Sequence, residues 1–275
     1  MRTIVIVARK EIQEGLRNRW VLATTLLLAA LALSLTFLGS APTGNVGAGA
    51  LDVVVVSLSS LTIFLLPLIA LLISHDAVVG EMERGTMILL LSYPVGRHQV
   101  ILGKFFGHVL ILAFATVIGY GAAAVALAIT GASVLAASWY AFASMLGTSI
   151  LLGAVFVAIG YFISSLVRDR GTAAGLSVGI WLLMVLVFDM GLLGILVIDQ
   201  GQIISAPVLE ALLFLNPTDL YRMTNLTGFN VSQFSGMAGL AGTARAGIGL
   251  LLTGLLIWIV IPLGFATMFF ARREL

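Results

Sequence analysis

The chain has 275 residues, of which 60% are hydrophobic and 9% charged, with a formal net charge of +2. Soluble domains carry roughly 45–50% apolar and about 25% charged residues, so no soluble core could hide this excess, and charges that merely flank apolar runs give no reason to invoke nucleic acid. Cysteine is absent, which excludes disulfides, thiolate metal sites and cysteine nucleophiles.

In the N-terminal lead, Ile4, Ala8, Ile12 and Leu16 recur every four residues while Arg2, Arg9, Lys10, Gln13 and Arg17 cover the other sides. That pattern predicts a basic amphipathic helix over residues 1–19, lying on a membrane surface. The length of this polar lead, with Glu11 and Glu14 inside it, argues against a cleaved signal peptide. Trp20 then stands where an aromatic belt residue belongs, at the head of a first span over 20–38. A short uncharged loop from Gly39 to Ala50 leads to a second span over 52–74, with Asp52 read as a helix-start cap.

Residues 75–104 differ in kind, gathering Asp76, Glu81, Glu83, Arg84, Arg97, Lys104 and two histidines around a helical stretch that ends at Tyr93-Pro94. They predict an ordered segment outside the bilayer. A third span over 105–130, a tight turn from Gly131 to Ser138 and a fourth span over 139–166 follow, and then the charged turn Arg168-Asp169-Arg170-Gly171. The fifth span, 173–198, carries Gly171, Gly175 and Gly179 at intervals of four, a small-xxx-small face that would admit another helix closely. In the long segment 199–245, Pro207 to Leu215 is too short to span and reads as an interfacial or re-entrant helix. A new helix then starts with Asn216 as N-cap, Pro217 at the first position and Asp219 in the first turn. A last span occupies 246–270.

Each of these runs approaches or exceeds the ~20 residues needed to cross ~30 Å of hydrocarbon, and helices are the elements that satisfy their own backbone there. The expected fold is therefore an all-α integral membrane protein, one domain of six transmembrane helices. Twelve basic residues fall on one side (Arg2, Arg9, Lys10, Arg17, Arg19, Arg84, Arg97, Lys104, Arg168, Arg170, Arg272 and Arg273) and two, Arg222 and Arg245, on the other. The expected orientation puts both termini and residues 75–104 in the cytosol and residues 199–245 outside.

No phosphate-loop motif occurs, since Gly103-Lys104 is followed by Phe105 and lacks the upstream glycine, so ATP would have to be hydrolysed elsewhere. His75, His98 and His108 lack helical ligand spacing, and no metal site is expected within the chain. Met184, Met190, Met223 and Met237 are scattered, which suits gap-filling better than soft Cu(I) ligation. No nucleophile, base and metal set clusters as an enzyme would require, so no catalytic residue is expected. Asp189 is the one carboxylate well inside a span, at a cost of roughly 2.5–3.5 kcal/mol on insertion scales. Either it faces a pathway or dimer cavity, or Gly191 and Gly194 break the helix and leave it at the outer headgroups.

The stretch from Glu81 to Arg97, with Glu81, Met82, Glu83, Arg84, Gly85, Thr86 and Met87 leading into Leu90-Leu91-Ser92-Tyr93-Pro94 and on to Gly103-Lys104-Phe105, resembles the ABC-2 type permeases. Their segment between the second and third spans reads E-x-x-x-G-T, an apolar L-L-S-x-P, a basic residue and then G-K. The resemblance implies that Glu81 to Met87 and Arg97 belong to a coupling helix seated in a groove of a separate cytosolic ATPase, which carries the ATP and magnesium, and that this chain binds no cofactor. It also implies a second copy of the chain and a bacterial inner membrane location, with Arg168, Asp169 and Arg170 as a possible second ATPase contact. Independently, charges beside apolar Met82, Met87 and Ile88 offer the mixed surface a rigid partner can grip. Asn216-Pro217-Thr218-Asp219-Leu220-Tyr221-Arg222 resembles a narrower group of these permeases that serves copper-site assembly. That likeness implies a periplasmic copper-handling partner at Asn216, Pro217, Asp219, Tyr221 and Arg222, and a cargo of copper, a sulfur compound or none. The alternative function, an ion-driven secondary transporter, would need ionisable residues along the bilayer midplane, where only Asp189 is available.

Overall fold

A computed structural model describes residues 2–17, 19–39, 50–129, 136–199, 206–226 and 247–273. All regular structure among these residues is helical. In chain order the elements are α1 (Arg2–Leu16), α2 (Arg19–Gly39), α3 (Ala50–Ser74), α4 (Val79–Glu83), α5 (Thr86–Leu91), α6 (Arg97–Ile129), α7 (Ala136–Leu166), α8 (Arg170–Leu182), a π-helical turn (Leu183–Val187), α9 (Phe188–Asp199), α10 (Ala206–Leu213), α11 (Pro217–Leu226) and α12 (Ile248–Arg272). The loops expected at 40–49 and 131–135, Met237, Arg245 and the rest of 227–246 lie outside the described residues.

Five helical stretches are long and apolar enough to cross a membrane, and the count reaches six if α1 and α2, which meet at 67°, form one broken span. The third of the six expected spans starts at Arg97, well before the expected 105, because its first two turns are polar and stand outside the apolar run. At the centre α7 packs on α3 and α12, while α6 carries α1 and α2 on its other side. In α7, 67% of the apolar window is buried, against 11% for the span built of α8, the π turn and α9. That span therefore hangs on the edge of the bundle.

Polar side chains stitch the spans where water cannot. The Thr62 and Tyr120 hydroxyls meet at 2.7 Å and those of Ser149 and Tyr221 at 2.9 Å, while the Trp181 indole N–H donates to the Phe64 carbonyl at 2.9 Å. In bilayers such bonds contribute about 0.6–2 kcal/mol each.

The small-residue contact is not where the glycine repeat suggests. A Cβ at Gly175 or Gly179 would meet nothing within 4 Å, whereas at Gly103 it would meet Val7 Cβ at 2.7 Å and the Ile4 carbonyl oxygen at 2.9 Å. Gly107, one turn on, is pressed in the same way against Glu11 and Ala8. The pair forms the seat on which α1 lies, so α1 turns Val7, Ala8 and Glu11 inward. Gly103→Leu is expected to lift α1 from α6 and destabilise the protein by about 1–3 kcal/mol, as overpacking does. Gly175→Leu should leave the isolated chain's thermal stability nearly unchanged, and comparison of the two melting curves in detergent checks this.

Candidate functional site

The end of the bundle that carries residues 75–96 and the capped C-terminus of α12 also holds most of the chain's cations, and is called here the basic end; the opposite is the far end. At the basic end the chain leaves α3 and is caught at once: the Ser164 hydroxyl of α7 accepts the N–H groups of Val78 and Val79 at 3.0 and 3.1 Å. Two short helices follow, joined at Gly85, whose φ of 70° lies in the left-handed region that favours glycine. The reversal turns α5 back against the bundle and buries Met87 completely. Met82 is half-buried beside it, while Glu83, Arg84 and Thr86 face outward.

Ile88, Leu89 and Tyr93 are 57%, 68% and 68% exposed, which places apolar side chains next to the outward polar row. A cleft of about 390 Å³ lined by Lys10, Glu14, Glu81, Arg84, Thr86 and Leu90 runs between this surface and α1. The arrangement is a rigid, mixed patch of the kind protein partners use.

Beneath it lies an ion cluster that joins three elements. Lys104 Nζ is 2.8 Å from Glu11 Oε1 and 2.9 Å from Glu81 Oε1, with Lys104 only 3% exposed. Burial pushes the Glu11 carboxyl up, but the Lys104 ammonium, then His108 and Lys10, outweigh it and hold Glu11 below the usual carboxylate range. His108 completes the cluster, its Nδ1 lying 2.6 Å from the Tyr161 hydroxyl. Sequence reasoning missed the partnership of Glu11 and Lys104; the available signal was an acidic pair inside an otherwise basic lead.

Other expected contact residues are engaged in bonds within the chain. Arg97 donates to the carbonyls of Phe270, Ala271 and Arg273 at 3.0, 2.9 and 2.7 Å, capping the C-terminus of α12. It is a helix cap in this structure, because the last carbonyls of a helix lack intrahelical partners and attract a cation. Asp169 is the N-cap of α8, accepting from the Thr172 N–H at 2.7 Å, and bonds from that N–H and the Thr172 hydroxyl hold its carboxyl below the usual range. Arg170 reaches α4: its backbone N–H donates to Glu83 Oε1 at 2.9 Å, and its guanidinium donates to the Gly80 carbonyl at 2.8 Å. Arg168 has no described tie of this kind to α4.

Toward the far end, α10 and α11 form a pair whose turn lies deep in the bundle. The Phe214 carbonyl accepts from the Trp258 indole in the middle of α12, and Asn216 Nδ2 donates to the Met184 carbonyl in the π turn at 2.7 Å. Asn216 Oδ1 also accepts the Thr218 N–H at 3.1 Å, so the expected N-cap is present, followed by Pro217 and Asp219. Asn216, Asp219, Tyr221 and Arg222 are all buried. They face the bundle, where the partner expectation requires an outward face.

Asp189 has a partner within the chain that its place in the sequence did not reveal. α9 continues through Gly191 and Gly194, and Asp189 Oδ2 pairs with Arg222 Nη2 at 2.6 Å while Arg222 also pairs with Asp219. Met190 is 72% exposed and Met223 fully buried, so the two sulfurs share no environment. Among the described residues no three His, Asp or Glu side chains group as metal ligands.

A membrane bundle without a phosphate loop, presenting a rigid two-helix patch at its basic end, has the build of a transporter permease subunit that works with a separate motor. The chain belongs to the ABC-2 family transporter proteins, whose sequence model matches residues 5–275. It is 46% identical over 276 aligned positions to the "Probable ABC transporter permease protein NosY" of Pseudomonas aeruginosa, covering all of both chains. To the protein of the same description from Stutzerimonas stutzeri it is 47% identical over 269 positions, 97% of each chain. It is thus a multi-pass, non-catalytic permease subunit, and the family implies an ATPase partner.

Proposed function

We propose that the basic end faces the cytosol and that α4 and α5 are the seat of the ATPase subunit, which alone binds ATP and magnesium. The observation that carries this is the outward row Arg84, Thr86, Ile88, Leu89 and Tyr93 on a base held by Glu81 and Lys104. A seat must be rigid to receive force, and the buried ion cluster supplies that rigidity. Two copies of the chain pair, each with one ATPase. The exposed fifth span, with open space over Gly175 and Gly179, supports a second copy or lipid at that face.

Motion of the seat is coupled to transport or to displacement of a periplasmic partner on the segment 199–245, in a bacterial inner membrane with both termini cytosolic. Full-length similarity to the NosY proteins supports service in copper-site assembly of nitrous oxide reductase. The partner there is then a copper-handling protein, and the cargo copper, a sulfur compound or none.

Arg84→Glu tests the seat. An interfacial arginine is commonly worth more than about 1.4 kcal/mol, a factor of about ten, so the variant should copurify with at least about tenfold less ATPase while its own melting curve is unchanged. Full ATPase retention together with full coupled activity would overturn the assignment.

A further inference from the structure

The fifth span is fastened at two places and little packed between them. At its first residue, Arg170 holds α4 by the backbone and guanidinium bonds described above, and its Nε lies 3.0 Å from Glu83 Oε2. Asp169 caps the same turn, so the fastening sits on a well-formed helix start. The second fastening is to the deep pair α10 and α11, through Asn216 on the Met184 carbonyl and Arg222 on Asp189. From Arg170 to Asp189 the helix rises about 28 Å at ~1.5 Å per residue, close to the ~30 Å of the hydrocarbon core.

In the most apolar window of this span 11% is buried, the lowest share of the five candidate spans. Laterally it packs Ala173, Ser177 and Val185 inward and ties the Trp181 indole to the Phe64 carbonyl of α3, while the Cβ positions of Gly175 and Gly179 face open space. An element tied at its ends and sparsely packed along its flanks can shift along its length without dismantling a core. The π turn at Leu183–Val187 lies at the second fastening, where the backbone departs from α geometry.

We propose that the fifth span is the rod that carries displacement of α4 to the re-entrant pair α10 and α11, with Arg170 to Glu83 as its inner joint and Asp189 to Arg222, with Asn216 to Met184, as its outer joint. This rests on the reading of α4 and α5 as the ATPase seat. Arg170 and the outer joint lie outside the seat formed by α4 and α5. Breaking the inner joint therefore leaves a complex that hydrolyses ATP while the pair α10 and α11 stays still.

The chain has no cysteine, so a single Val208→Cys, at a position 48% exposed on α10, can carry a spin label alone. The complex of full chain and ATPase is purified in lipid nanodiscs, and the label's spectrum is compared without nucleotide and with ATP plus vanadate. The label should respond in the unaltered background. With Arg170→Gln or Asp189→Ala the response should fall at least fivefold while ATPase copurification and basal hydrolysis stay within twofold.

An undiminished response in Arg170→Gln and Asp189→Ala overturns the rod. So does a label that ignores ATP in the unaltered complex, or loss of ATPase binding on Arg170→Gln, which would place Arg170 in the seat itself. Failure of the ATPase to bind the unaltered chain overturns the seat, and is read from the same copurification. Asp189→Ala, at the outer joint, leaves Arg222 paired with Asp219 and keeps the test valid if Arg170→Gln does not fold.

Discussion

Lys104→Met is expected to destabilise the protein by about 3–5 kcal/mol, the cost of removing one partner from a buried ionic group. Glu11 and Glu81 are 7% and 8% exposed and both point an oxygen at the ammonium. Without it two carboxylates face each other across the space between α1 and α4, with the exposed Lys10, 3.9 Å from Glu11 and 3.8 Å from Glu81, as the remaining cation. At about 2–4 °C per kcal/mol for a chain of this size, the melting point in detergent should fall by roughly 6–20 °C. Adding Glu11→Gln and Glu81→Gln to the same chain removes the stranded charges, and much of the loss should return. A single variant that melts like the parent would show that the ammonium does not hold α1, α4 and α6 together.

Arg222→Leu should act at the other end and more locally. The substitution leaves Asp189 and Asp219 inside the bundle with no cation between them, at a cost of about 3–5 kcal/mol to the contact that Arg222 maintains. Because α11 is also held by Tyr221 on Ser149 and by Asn225 on Thr148, the expected result is loosening of α10 and α11 while α3, α6 and α7 stay intact. Amide hydrogen exchange reads this directly: protection should drop over residues 206–226 and around the π turn, and remain elsewhere. Adding Asp189→Asn and Asp219→Asn to the Arg222→Leu chain removes the stranded charges and should restore much of that protection. Uniform loss across the bundle, or no loss, would contradict a local clasp.

Much of this protein was legible from residue order. Apolar runs near span length announced every long helix, and the observed elements differ chiefly by reaching further into polar sequence, as α6 does from Arg97. The N-cap at Asn216 was legible too, since capping involves neighbours two residues apart. The dense charge of residues 75–104 marked the one segment whose outward face now carries the docking proposal.

The destinations of individual charges were not legible. Arg97 and Lys104 look alike in sequence, two cations flanking the same span, yet one caps a helix end 173 residues away and the other sits in a buried cluster with Glu11 and Glu81. Glycine spacing was no better a guide to packing within the chain. Gly171, Gly175 and Gly179 keep the four-residue interval that close packing uses, but the chain packs closely at Gly103 and Gly107. A helix face is suited to contact by its own residues and placed in contact only by its neighbours.

The sequence by itself determined that this is a multi-pass helical membrane protein with a family-specific segment at its basic end, because lipid imposes its demand on each apolar run separately. Tertiary structure alone decided that Asp189 pairs with Arg222, that Arg170 grips α4, and that Asn216 and Tyr221 face inward. Those outcomes depend on which helices stand side by side. In a low-dielectric interior a buried charge or polar group must find its partner there, however far away along the chain that partner lies.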